Sequence, residues 1–131
     1  GGFQSYGGLT ELTLPAGIQK LGGNALRQTN ITELVIPARV SVIEDYFLST
    51  CTKLKTVTVN GNKLKTIGQS AFSGDKNLKV VNLKKVKTLK TVGKSAFKGV
   101  SKKITVRVPK NKKAAYVRIF KKGGIAASKI K

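Results

Sequence analysis

The feature that most constrains this chain is that it repeats itself. Residues 9–30 (LTELTLPAGIQKLGGNALRQTN), 31–53 (ITELVIPARVSVIEDYFLSTCTK), 54–77 (LKTVTVNGNKLKTIGQSAFSGDKN) and 78–103 (LKVVNLKKVKTLKTVGKSAFKGVSKK) align as units of 22, 23, 24 and 26 residues. Leu9, Ile31, Leu54 and Leu78 open the units, followed by Leu12, Leu34, Val57 and Val81, then Leu14, Ile36, Val59 and Leu83. The last two columns alternate across one position expected to be exposed, as in a half-buried strand. A second apolar pair follows at Ile18 and Leu21, Val40 and Ile43, Leu64 and Ile67, Leu89 and Val92. Each unit closes on Ala25-Leu26, Phe47-Leu48, Ala71-Phe72 or Ala96-Phe97. Gly22, Gly68 and Gly93 precede that step and are expected to mark a turn that needs φ > 0. One such unit cannot bury its apolar side alone, so the expected fold is a repeat solenoid of the leucine-rich type. It is built mainly of short β-strands with turns or short helical segments.

The ends of the chain depart from the period. Residues 2–8 align with the segment before Leu78, so residues 1–8 are read as a partial repeat. A piece of a longer array is expected here in preference to a degenerate cap. Residues 104–131 are expected to form a terminal strand (ITVRVP), a capping helix and a tail. In the helix, Ala115, Tyr116, Ile119 and Phe120 lie on one stripe, and Gly123-Gly124 supplies the stop. The helix would close the open end of the solenoid, as such arrays require for solubility. The tail beyond Gly124 is expected to fray.

The pattern L-x-x-L-x-L-P followed by I-G-x-x-A-F resembles the BspA-like leucine-rich repeats, found on bacterial surface proteins and in some parasitic protists. Leu14-Pro15, Ile36-Pro37, the IGQSAF of residues 67–72 and the VGKSAF of residues 92–97 carry the resemblance. Cys51 falls where that family often has cysteine. The likeness covers residues 1–109, and the V-P-K…Y…F-K-K-G-G ending resembles the last segment of secreted members. Val59-Asn60 and Leu83-Lys84 depart from it by lacking the proline. The resemblance implies an adhesion or protein-binding scaffold, extracellular or at the cell surface, and supplies neither a ligand nor a catalytic residue set. The opening Gly1-Gly2-Phe3-Gln4 has no leader features, so a leader is not expected within this chain. No apolar run is long enough to span a bilayer.

Little in the sequence points to an enzyme. The chain has no histidine, so the commonest general base and the usual Ser-His and Cys-His pairs are missing. Five acidic residues are too few and scattered for a paired-carboxylate site, and Glu44-Asp45 reads as a solvated turn. One cysteine excludes an intrachain disulfide and any two-cysteine metal site, and Cys51 reads as a buried apolar filler. No cofactor or metal motif is present.

Two binding surfaces stand as candidates. The first is the exposed side of the first strand of each unit: Glu11, Thr13, Glu33, Val35, Thr56, Thr58, Val80 and Asn82. Its expected partner is a protein or a host surface component. The second comes from charge. Residues 1–53 hold four basic and four acidic residues, whereas residues 54–131 hold 22 basic residues and only Asp75. The candidate anion-binding patch comprises Lys65, Lys84, Lys85, Lys87, Lys90, Lys110, Lys112, Lys113, Arg118, Lys121 and Lys122. Lys65 and Lys90 are expected to share a column on the second strand. An anionic polysaccharide or envelope polymer would suit this patch, and plain solubilisation is the competing reading. Nucleic acid fits least: Lys outnumbers Arg 22 to 4, and stacking aromatics are scarce.

Overall fold

The computed structural model describes residues 14–23, 26 and 29–131. The units 31–53, 54–77 and 78–103 each contribute two strands, and like strands stack in parallel. The front sheet runs β2 (Glu33–Ile36), β4 (Thr56–Val59), β6 (Val80–Asn82), β8 (Thr105–Arg107). The back sheet runs β1 (Lys20–Leu21), β3 (Val42–Ile43), β5 (Thr66–Ile67), β7 (Thr91–Val92). The front register sets Leu34 beside Val57, Val57 beside Val81 and Val81 beside Val106. All four are buried, because strand alternation turns this column inward while its neighbours face out. The expected solenoid is therefore the observed one.

Unequal unit lengths do not disturb this register, because the extra residues are confined to corners. Three residues separate Ile36 from Val40, four separate Val59 from Leu64, and five separate Leu83 from Leu89. In the longest corner Val86 turns inward and is fully buried, so the inserted length fills space. Below the last strand, α1 (Lys113–Lys122) follows a single 3-10 turn at Lys110–Lys112. Tyr116 and Phe120 are its buried residues. Ala115, expected on the buried stripe, is exposed, and Val117 and Ile119 are the partly buried neighbours. The stripe is displaced because the helix packs along its 116–120 line against β7. Tyr116 anchors it: its hydroxyl donates to the Val86 carbonyl (2.7 Å) and accepts from the Leu89 N–H (3.2 Å).

Two expectations about the end of the chain and its turns are overturned. The tail is packed, not frayed: Ile125 and Ile130 are buried, and Ile130 bridges in parallel to Val106. The apolar rim left by β8 supplies the partner that a free tail would lack. Gly68 and Gly93 do not have positive φ; Tyr46, Ser70 and Ser95 do (φ 61°, 55° and 59°), as do Thr50, Gly74 and Gly99 (62°, 82° and 79°). Gly68 and Gly93 instead answer to space. A Cβ on Gly68 would stand 2.6 Å from the Asp45 backbone nitrogen, and one on Gly93 2.4 Å from that of Gln69. Gly22 is likewise not among the positive-φ residues.

The core is one continuous cluster made of several inward columns that run along the solenoid. Phe72 stacks on Phe97 with ring centres 5.1 Å apart, and Phe97 meets Phe120 of α1 at 5.6 Å. Each such ring contributes roughly 1.5–3 kcal/mol of burial. The helix therefore closes the column with the same kind of contact that the repeats use among themselves.

Candidate binding surfaces

The outward positions of the front sheet form two straight columns. Glu33, Thr56, Val80 and Thr105 are register partners in one; Val35, Thr58, Asn82 and Arg107 in the other. Glu33 and Val35 are exposed, while Thr56, Thr58, Val80 and Asn82 are half-buried. Val35, at 54% exposure, is an apolar group left open in the otherwise polar column of Thr58, Asn82 and Arg107. Glu11 and Thr13 lie outside the described residues. Thr105 and Arg107 continue the two columns and were not among the sequence candidates. Their signal was present, since 104–108 reads as a strand and its alternation extends the same columns by one rung. The surface thus runs from a carboxylate at Glu33 to a guanidinium at Arg107.

The basic candidates separate into three groups. Lys84, Lys85 and Lys87 line one groove with Asn60, Gly61 and Asn62, of about 490 Å³. In it the Lys85 ammonium donates to Asn60 Oδ1 at 2.8 Å, and the Lys84 N–H donates to Asn82 Oδ1 at 3.1 Å. Lys65 and Lys90 stand one residue ahead of β5 and β7, not within the strands. They nonetheless share a rung column, the Lys90 N–H donating to the Lys65 carbonyl at 2.9 Å. Lys110 and Lys112 belong to the 3-10 turn, and Lys113, Arg118, Lys121 and Lys122 to α1. All of these side chains are exposed except the half-buried Lys112. Lysines on successive rungs stand about 4.8 Å apart at the backbone, a spacing at which like charges repel unless water or a counter-charge screens them.

Acidic and thiol groups serve the backbone of neighbouring rungs. Glu44 Oε1 accepts from the Gly23 N–H (3.3 Å) and Asp45 Oδ1 from the Gln69 N–H (2.8 Å), so the exposed pair acts as turn chemistry. Cys51 is buried, but it is more than filler. Its thiol donates to the Leu26 carbonyl (3.1 Å) and its N–H donates to Asp75 Oδ1 (2.7 Å). Asp75 is wholly buried, and its Oδ2 has no partner among the described residues. Burial pushes its carboxyl up to about 9, against the lowering effect of the Cys51 N–H. Among the described residues no three metal-ligating side chains converge.

Parallel rungs in constant register, a unit of 22 to 26 residues and the I-G-x-x-A-F turn are now on one structure. The family model of the BspA-type leucine-rich repeat region matches residues 1–126 in six copies. The chain belongs to that family. No curated protein and no solved structure matches it. Repeats of this family are scaffolds, generally non-catalytic and often protein-binding. No helix among the described residues is long and apolar enough to cross a membrane.

Proposed function

We propose that this chain is a non-catalytic binding or adhesion scaffold, secreted or displayed at a cell surface, whose front sheet meets a protein or host surface component. The observation that carries the reading is the register of the front sheet. It aligns Glu33, Thr56, Val80 and Thr105, and beside them Val35, Thr58, Asn82 and Arg107, on a face where each of these side chains is exposed or half-buried. A rigid backbone holds these side chains, so a partner meets them with little loss of loop entropy. Family membership supports a surface scaffold.

The test is binding to immobilised host surface proteins by the parent chain and by a Val35→Arg/Thr58→Arg variant. Both positions face outward, so the fold should be retained, which circular dichroism would verify. At least roughly a tenfold loss of affinity, about 1.4 kcal/mol, is expected for an interface centred on this face. Unchanged affinity in the variant would remove the front sheet from the interface.

A second reading rests on a separate observation, the groove of Lys84, Lys85 and Lys87 within a segment holding 22 basic residues and one acidic. Here the chain is an electrostatic tether to an anionic polymer or envelope surface. Binding to heparin and to anionic liposomes would then fall steeply with salt. It would also weaken when Lys84, Lys85, Lys87 and Lys90 are changed to Gln, whereas front-sheet binding would be little altered by either change.

A further inference from the structure

The last turn of the solenoid differs from the two turns before it in what its N–H groups meet. In those two turns, at residues 46–50 and 70–74, the N–H groups at two positive-φ positions donate to the next rung. Tyr46 donates to Gln69 O (3.1 Å) and Thr50 to Ser73 O (2.8 Å). One rung on, Ser70 donates to Lys94 O (3.2 Å) and Gly74 to Lys98 O (2.8 Å). The corresponding donors of the last turn are Ser95 and Gly99, with φ of 59° and 79°. The end of α1 replaces the next rung only in part. Gly123 O takes the Phe97 N–H (2.8 Å), but neither the Ser95 nor the Gly99 N–H has an acceptor among the described residues.

Both residues line a groove of about 390 Å³ between this turn and the C-terminal tail. The homologous N–H groups point toward the following rung, so these two point into the groove that stands in its place. Lys98, Lys102, Lys122 and Lys129 also line it, and no acidic residue does. The Lys129 ammonium donates to the Lys102 carbonyl, which holds the tail lysine at the rim. Phe97 and Ile125 supply an apolar floor. Helix carbonyls that would repel an anion are already occupied: Phe120 O accepts from Gly123 and Ile125, and Lys121 O from Gly124. Unpaired N–H donors beside several uncompensated ammonium groups are the chemistry of an oxyanion receptor.

We infer that this groove is a binding site for a phosphate or sulfate group, distinct from the front sheet and from the Lys84 groove. Several lysines acting as point charges suit a compact, multiply charged group better than a single planar carboxylate, which favours Arg forks.

Inorganic phosphate and inorganic sulfate, titrated separately at physiological salt into the ¹⁵N-labelled chain, provide the test. Saturable movement of the Ser95 and Gly99 amide resonances is expected, and the ion that binds more tightly identifies the ester. A Lys98→Gln/Lys122→Gln variant should raise the apparent Kd about tenfold. A Lys84→Gln/Lys85→Gln variant should change it less than about twofold, since that pair lines another groove. All four side chains are exposed, and superimposable spectra away from the groove would verify the fold of both variants. The inference is overturned if Ser95 and Gly99 move no more than in matched chloride, or if both variants weaken binding equally.

Discussion

The second unit, residues 31–53, and the two that follow, residues 54–103, share an interior and differ outside. Leu34, Val57 and Val81 are interchangeable inside, as are Ile36, Val59 and Leu83, or Ile43, Ile67 and Val92; all nine are buried. Outside, the second unit carries two basic residues against three acidic ones, and the following two carry thirteen basic against one. Each inward side chain must match the rungs above and below, whereas an outward one answers mainly to water. The difference shows that the repeat constrains shape and leaves charge free to vary. It also shows where the interior itself is not uniform: Phe47-Leu48 in the second unit becomes Ala71-Phe72 and Ala96-Phe97 in the next two.

The sharpest way to break that interior equivalence is to truncate equivalent positions. Phe72→Ala should cost about 3–5 kcal/mol, because it opens a cavity and removes the stack on Phe97. Leu48→Ala, at the same place in the second unit, should cost less, at the lower end of about 2–5 kcal/mol. Urea denaturation of both variants reads the difference. Equal losses would mean that the aromatic column adds nothing beyond ordinary burial.

A second contrast lies at one column where the second unit has Cys51, the third Asp75 and the fourth Val100. Asp75 is held protonated in the fold, with its carboxyl near 9 against 3.8 when unfolded. The folded chain therefore binds the extra proton between those values, and stability declines as pH rises through that window, by up to about 1.4 kcal/mol per pH unit. It is greatest below the unfolded value and levels off above about 9. Asp75→Asn keeps an acceptor for the Cys51 N–H and abolishes the titration. It should stabilise the chain by about 2–4 kcal/mol at neutral pH and flatten the profile. Thermal melts from mild acid to mild alkali would test it, and parallel profiles for parent and variant would show that Asp75 does not titrate in this window.

The smallest effect expected is at Thr50, a β-branched residue at φ 62° where the next two units have Gly74 and Gly99. Thr50→Gly should relieve left-handed strain and stabilise by about 1 kcal/mol after the entropy lost with glycine is deducted. A Gly74→Thr variant should move stability the other way. A shift of the same sign in both would show that turn conformation is not what distinguishes the units.

The stacking of the units, the two strand segments of a unit and the inward columns were readable from residue spacing, because a period of two for strands and of 22 to 26 for rungs leaves few arrangements that bury every apolar column. The front face followed from the same alternation, and Thr105 and Arg107 were missed only because the last strand was treated as part of the end. The basic side chains were readable as a charge excess but not as places: one list of lysines became a corner groove, a back-sheet column and a helix surface. Spacing along the chain does not say which corners meet.

What the sequence by itself determined was the repeating interior, since each apolar position there has its partner one unit of 22 to 26 residues away. Only the tertiary structure decided what particular positions meet on the neighbouring rung and at the end of the array. It decided that Gly68 and Gly93 make room for Asp45 and Gln69, that Asp75 is buried beside Cys51, and that the tail packs through Ile130 on Val106. It also left the Ser95 and Gly99 N–H groups facing a groove, because α1 ends the ladder without supplying a full rung.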